Sequence, residues 1–127
     1  MDQAAKEIYV IEQSCVARSL MAEILQSRFH GYEVKIMTDE AEVFASLALK
    51  DQPSLILASC EIQGESSSSL IKDLRKQFSD IPVVVLCADL QSANTQYFEE
   101  LDCQVISKPL TTEKARGIVE LLGPKDG

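Results

Sequence analysis

Short apolar runs alternate with segments of helical periodicity five times along this chain, and that alternation constrains the fold most. The apolar runs cover residues 8–11, 32–37, 55–58, 83–86 and 103–106. Repeated strand–helix units with helices of about 10–15 residues are typical of a parallel sheet covered by helices on both faces. The sequence therefore predicts an α/β protein with a doubly wound, five-stranded parallel sheet.

The composition of the five runs predicts the order of the strands. The first, third and fourth runs are continuously apolar, as expected of strands buried on both faces in the middle of a sheet. The second and fifth mix apolar with polar residues, which suits the edges. This sorting favours the order 2-1-3-4-5, the flavodoxin-like winding.

The helical segments predict which side chains face the sheet. A helix over about residues 15–29 would direct five apolar residues inward: Val16, Leu20, Met21, Ile24 and Leu25. Asp39 is a candidate cap for a second helix. A polar loop over residues 63–69 precedes the third helix. The fourth helix, at about residues 92–101, would direct Ala93, Tyr97 and Leu101 inward.

Length and charge limit the kind of protein this is. With 127 residues the chain makes one domain, with a core at about residues 6–123 and a tail or the start of a linker at 124–127. Twelve Lys and Arg against twenty Asp and Glu give a net charge of −8. Such a surface repels phosphate backbones and anionic lipid, so we expect no direct binding to nucleic acid or membranes.

Cysteine usage and the N-terminus predict a cytoplasmic location. The four cysteines are scattered, with no CxxC pair, so reduced thiols are the simpler interpretation and no metal site is expected. The first residues lack the apolar core of a signal peptide. No apolar stretch is long enough to span a bilayer.

Ligands of such a sheet bind outside the carboxyl ends of the strands, in the crevice between the first and third. The residues that the sequence delivers to this edge are Glu12, Gln13, Ser59, Cys60, Cys87, Lys108 and Pro109. These segments, in this order and spacing, resemble the receiver domain of two-component response regulators (CheY-like) over nearly the whole chain. The resemblance implies an acidic pair, a phospho-accepting Asp, a Thr or Ser, an aromatic switch residue and a Lys-Pro pair.

This chain departs from the receiver pattern at most of its functional positions. Gln13 replaces the second acid, Ser59 the phospho-acceptor Asp, Cys87 the hydroxyl residue and Val105 the aromatic residue. Three residues of the pattern are retained: Glu12, Lys108 and Pro109. The sequence is therefore identified as a degenerate receiver, a pseudo-receiver without the phospho-acceptor Asp.

The losses remove both the chemistry and the switch that the resemblance implies. An acyl phosphate needs a carboxylate, and the Ser59 hydroxyl is a poor nucleophile without a base; the single histidine, His30, falls at the opposite end of the sheet. Mg²⁺ is usually bound through carboxylate ligands, and Glu12 is the only acid of the receiver pattern that remains in this sequence. Cys87 is a weak hydrogen-bond donor and Val105 has no ring to swing. We predict no catalytic residue, no enzyme activity, no cofactor and weak or absent magnesium binding.

The favoured function is a phosphorylation-independent interaction module in signal transduction. Its partner would be another protein or a fused output domain. The fourth helix, fifth strand and fifth helix would form the contact face, and a homodimer through that face is possible. Lys108 is expected to form a structural ion pair with Glu12, and the resemblance implies a cis peptide before Pro109.

Four alternatives stay open at this point. The crevice could belong to an atypical sensor that binds a small ligand or responds to thiol oxidation, with Cys15, Cys60 and Cys87 nearby. Glu61, two residues beyond the acceptor position, could serve as a substitute carboxylate. Another enzyme could form a phosphate ester on Ser59. A flavodoxin-type redox protein shares the topology, but the phosphate-binding glycines are missing after the first strand.

Overall fold

Five parallel strands form the central sheet, in the order β2-β1-β3-β6-β7. The structure is a computed structural model and describes residues 6–39, 43, 53–62, 64–90 and 95–120. Its strands are β1 (Lys6–Ile11), β2 (Tyr32–Met37), β3 (Leu55–Ser59), β4 (Glu61–Ile62), β5 (Glu65–Ser66), β6 (Val83–Cys87) and β7 (Gln104–Ser107). The order 2-1-3-4-5 and the α/β class predicted from the sequence are confirmed, since β6 and β7 are the fourth and fifth strands of the main sheet.

The described helices are α1 (Cys15–Arg28), α2 (Ser68–Gln77), α3 (Thr95–Glu100) and α4 (Thr112–Val119). Two of them begin at side-chain caps, because Ser14 accepts a hydrogen bond from the backbone of Ala17 and Thr111 from that of Lys114. The helix predicted to begin at Asp39 falls mostly outside the described residues, and so does the chain after residue 120.

The sheet has a separate apolar layer on each face. The three central strands alternate between these layers and are buried on both sides. On one face Tyr9 and Ile11 pack with Phe98 of α3, and on the other Ile8 packs with Leu25 of α1. With both faces covered, the carboxyl edge of the sheet is the place where side chains of several strands can meet.

Two of the predicted inward residues of α1 are exposed. Met21 and Leu25 are buried, but Val16 is 70 % and Leu20 50 % exposed. Five apolar residues cover a wider arc of the helix than the sheet can bury, so the side of Val16 and Leu20 remains outside. The prediction for these two residues was wrong.

The inward aromatic residue of α3 is Phe98. Tyr97, which the sequence placed inward, is 41 % exposed, whereas Phe98 is fully buried. The described helix has only six residues, fewer than two turns, so periodicity alone cannot choose between adjacent aromatic residues.

The polar loop predicted at residues 63–69 is partly ordered. Glu61–Ile62 and Glu65–Ser66 form an antiparallel hairpin, and α2 already begins at Ser68. Gly64 lies between the two short strands with φ +80°, a conformation that glycine adopts at low cost. Within the described parts of the chain, no helix has the length and apolar composition needed to cross a bilayer.

Candidate functional site

A crevice of about 390 Å³ opens at the carboxyl edge of the sheet. It is lined by residues at the ends of β1, β3, β6 and β7 or just after them: Glu12, Gln13, Ser14, Ser59, Cys60, Glu61, Ala88, Asp89 and Lys108. The parallel strands end together here, which explains why residues distant in sequence share one cavity. The structure therefore brings together Glu12, Gln13, Ser59 and Lys108, as the sequence predicted.

Lys108 contacts both Glu12, the retained acid of the receiver pattern, and Ser59, the residue at the phospho-acceptor position. Its Nζ lies 3.3 Å from Glu12 Oε1 and donates a hydrogen bond of 2.9 Å to Ser59 Oγ. The predicted ion pair with Glu12 and the cis peptide before Pro109 are both confirmed. The contact with Ser59 was not predicted, and it places the ammonium group beside the residue at the acceptor position.

The Glu12 carboxylate is buried and held from two sides. Its Oε2 accepts a hydrogen bond of 2.9 Å from the backbone N–H of Ser14, next to the first turn of α1, where negative charge is stabilised. Its Oε1 faces Lys108. The only retained acid is thus held by a backbone N–H and an ammonium group.

Ser59 is a buried acceptor of hydrogen bonds. It is 2 % exposed, and besides Lys108 its Oγ accepts a weaker hydrogen bond of 3.4 Å from the backbone N–H of Glu61. Its carbonyl accepts from the hydroxyl of Ser67 at 2.7 Å. An ammonium donor withdraws electron density from the hydroxyl oxygen, whereas a nucleophilic serine needs a base that takes its proton.

The two switch positions lie in packed surroundings. Cys87, the last residue of β6, is buried, and burial together with a hydrogen bond to Cys60 raises the pKa of its thiol to about 12. Val105 is partly buried against the core layer that contains Cys87. A protonated thiol and a stiff aliphatic side chain thus occupy the two positions that the receiver resemblance assigns to the switch.

The receiver fold implies a magnesium ion at this edge, and the donor set does not fit one. Mg²⁺ takes oxygen ligands in octahedral geometry and is usually bound through one or two carboxylates. Here the Glu12 carboxylate faces an ammonium group, and Gln13 and Ser59 replace the other acids. Glu61 and Asp89 line the rim, but in the described ranges no group of three Asp, Glu, His or Cys side chains could hold a metal.

Three features of the site were missed or misplaced by the sequence analysis. Asp89 lines the crevice, which its position two residues after β6 could have suggested. Ser67 was taken as part of a loop and is a buried donor to the backbone of β3. Of the three cysteines expected near the crevice, Cys60 and Cys87 lie together, but Cys15 is exposed and does not line it.

Solved structures with the same fold are receiver domains. The phosphorylated cyanobacterial phytochrome response regulator RcpA matches with a TM-score of 0.78 and 23 % identity over 94 % of each chain. The chemotaxis protein CheY4 of Vibrio cholerae matches with a TM-score of 0.79 and 19 % identity, over 94 % of this chain and 99 % of that one. The N-terminal domain of a response regulator/sensory box/GGDEF protein of Carboxydothermus hydrogenoformans matches with a TM-score of 0.76 and 25 % identity, over 92 % and 93 %.

Comparison at the level of sequence adds no relative. No protein-family model matches the chain, and no curated protein matches it significantly. The fold is that of CheY-like response regulator receiver domains.

Proposed function

We propose that this chain is a receiver-like module of two-component-type signalling that works by binding a protein, without aspartyl phosphorylation. The contact between Lys108 Nζ and the buried Ser59 Oγ carries this proposal. A receiver requires a carboxylate at this position, and here a neutral hydroxyl accepts a hydrogen bond from the lysine. The proposed module has no enzyme activity and no resident cofactor, binds magnesium weakly or not at all, and acts in the cytoplasm.

Charge within the crevice supports the same proposal. The Glu12 carboxylate and the Lys108 ammonium neutralise each other at 3.3 Å. A phosphoryl group would have to displace this pair, and no second acid follows Glu12 to hold a bridging cation. Because Ser59 is buried, its hydroxyl gives a protein kinase poor access.

The proposed partner surface is the face formed by α3, β7 and α4. Tyr97 on α3 is 41 % exposed, and Leu90, in the segment before α3, is also exposed. An exposed aromatic ring offers a large contact area for few rotatable bonds, as is common at protein interfaces. The partner would be a fused output domain, a separate protein or a second copy of this domain.

The first experiment tests phosphorylation. Wild-type protein is incubated with a small acyl-phosphate donor and Mg²⁺, and then analysed by intact mass and on a phosphate-affinity gel. We expect no added phosphate. The matched control is the double variant Ser59→Asp/Gln13→Asp, which restores two carboxylates and is expected to gain a hydroxylamine-labile phosphate.

Stoichiometric labelling of the wild type would overturn the proposal. A label that disappears in Glu61→Gln would identify Glu61 as the substitute acceptor. Ser59→Asp alone is expected to label less than the double variant, because Glu12 then has only one new carboxylate beside it to share the cation.

The second experiment tests the partner surface in its simplest form, self-association. Light scattering after size exclusion measures the mass of the wild type over a series of concentrations. If the α3–β7–α4 face joins two copies, Tyr97→Ala should return the protein to monomer mass, while Val16→Ala on the exposed side of α1 should not. Loss of association in Val16→Ala alone would place the interface elsewhere.

A further inference from the structure

Two cysteines lie opposite each other where β3 and β6 end at the crevice. The register of these parallel strands pairs Ser59 with Leu86, so the next residues along them are Cys60 and Cys87. A hydrogen bond of 3.0 Å from the Cys60 N–H to the Leu86 carbonyl continues the ladder by one residue. Directly opposed residues on neighbouring strands direct their side chains to the same face of the sheet.

The two thiols are in contact. Both side chains pack in the same core layer, Cys87 buried and Cys60 partly buried, and a hydrogen bond joins them. Neighbouring strands lie about 4.8 Å apart, and the Cα atoms of natural disulfides are about 4.4–6.8 Å apart. The strand spacing thus falls within the range that a disulfide requires.

Access to the two sulfurs differs. Cys60 lines the crevice and is partly exposed, whereas Cys87 lies beneath it and is 4 % exposed. An oxidant entering the crevice therefore meets Cys60 first. The other two cysteines have different surroundings, because Cys15 is exposed at the start of α1 and Cys103 is buried just before β7.

We propose that Cys60 and Cys87 are a redox-active pair that closes reversibly into a disulfide beside the crevice. An oxidant of the hydroperoxide class transfers oxygen to the Cys60 sulfur, giving a sulfenic acid and, from hydrogen peroxide, one water. The Cys87 sulfur then attacks the Cys60 sulfur, the S–S bond forms and the S–O bond breaks. The leaving hydroxide takes the Cys87 thiol proton and departs as a second water. Two thiols are oxidised by two electrons in total, and a dithiol reductant reverses the change.

The division of roles follows from the chemistry of the two sites. Burial, the larger cause, and the hydrogen bond to Cys60 raise the pKa of the Cys87 thiol to about 12, so Cys87 is a protonated thiol while Cys60 is reduced. Cys60 is then the sulfur that reacts with the oxidant, and Cys87 is the sulfur that resolves it. The closed disulfide would tie the ends of β3 and β6 together next to Ser59 and remove the Cys60 thiol from the crevice.

The test is a thiol map of the reduced 127-residue protein after limited treatment with hydrogen peroxide. Remaining thiols are alkylated, and the protein is digested without reduction. We expect free thiols to fall from four to two, with loss of two hydrogen atoms from the mass and full reversal by dithiothreitol. Trypsin separates Cys60 from Cys87 at Lys72, and cleavage at aspartates separates Cys87 from Cys103.

Single variants distinguish the proposed pair from other cysteines. Cys15→Ser and Cys103→Ser should keep the cross-link, while Cys87→Ser should lose it and leave Cys60 as a sulfenic acid that a cyclic diketone traps. The proposal is overturned if Cys60 and Cys87 both remain alkylatable under conditions that oxidise the exposed Cys15, or if the cross-link joins a different pair. The result on wild-type protein does not depend on the folding of any variant, nor on the outcome of the phosphorylation test.

Discussion

Lys108 at the carboxyl edge of the sheet and Arg75 at the amino edge are both partly buried cations, but they have different kinds of partners. At the carboxyl edge Lys108 contacts two side chains, Glu12 and Ser59. At the amino edge, where the loops enter β6 and β7, Arg75 of α2 contacts backbone carbonyls. The carbonyls that accept from its guanidinium belong to Phe78, Ser79, Ile81, Leu101 and Asp102.

This difference separates contacts made mainly with the backbone from contacts made with side chains. The planar guanidinium of Arg75 joins two loops, at residues 78–81 and 101–102, and holds the turn at Asp102, where φ is +66°. Its acceptors are these carbonyls and the Cys103 thiol, so most side-chain substitutions in those loops would leave the carbonyl contacts in place. Lys108 depends on two side chains, so a substitution of Glu12 or Ser59 would change what it contacts.

The largest expected effect is loss of the Arg75 guanidinium. Arg75→Ala leaves several carbonyls without their donor, and we expect the free energy of unfolding to fall by about 3 kcal/mol. Urea denaturation followed by circular dichroism measures this loss. Arg75→Lys keeps the charge without the fork of donors and should recover less than half of it.

Lys72→Ala on the exposed side of the same helix is the matched control, with an expected change within about 0.5 kcal/mol. Equal free energies of unfolding for Arg75→Ala and Lys72→Ala would contradict a stabilising role of the Arg75 guanidinium at the amino edge.

The next effect in size is the loss of the crevice cation. Lys108→Met leaves the buried Glu12 carboxylate without its counter-charge; because the lysine side chain is 31 % exposed, we expect a loss of about 2 kcal/mol rather than the larger cost of a fully buried pair. The same urea measurement applies. Adding Glu12→Gln should restore part of this loss, since it removes the charge that lacks a partner.

A double-mutant cycle over Lys108→Met and Glu12→Gln gives the coupling energy of the pair. Additive effects of the two substitutions would contradict an ion pair that contributes to stability.

The strand order and the residues at the carboxyl edge could both be predicted from the sequence. Strand order followed from local composition, because the runs at residues 8–11, 55–58 and 83–86 are apolar throughout and must be buried on both faces. The residues at the carboxyl edge were also predictable, since they directly follow those strands.

The contacts among the edge residues were less predictable. The hydrogen bond between Lys108 and Ser59 joins residues that are 49 positions apart in the sequence. It depends on the backbone conformation at the ends of β3 and β7. The five carbonyls that Arg75 contacts belong to the backbone, so no pattern of side chains in the sequence predicts these contacts. The choice of Phe98 over Tyr97 was missed because a short helix lets tertiary packing select the buried ring.

The smallest expected effect concerns two buried thiols, Cys87 at the carboxyl edge and Cys103 at the amino edge. Burial raises the pKa of Cys87 to about 12 and that of Cys103 to about 11, although Lys108 and Arg75, respectively, act in the opposite direction. A thiol in the unfolded chain ionises near the ordinary value of 9.0. Each group therefore stabilises the fold fully below that pH, and its contribution is lost as the pH rises from there toward the folded pKa.

Between about pH 9 and about pH 10 each thiol should reduce the free energy of unfolding by about 1 kcal/mol. Urea denaturation across this range should give a shallower pH dependence for Cys87→Ala and for Cys103→Ala than for the wild type. Cys15→Ala, at an exposed position, should leave the slope unchanged. The contrary result is that Cys87→Ala has the same pH dependence of unfolding as the wild type, while Cys103→Ala has a shallower one. Lys108 would then hold the pKa of Cys87 close to its ordinary value, and the carboxyl edge would be more polar than burial alone implies.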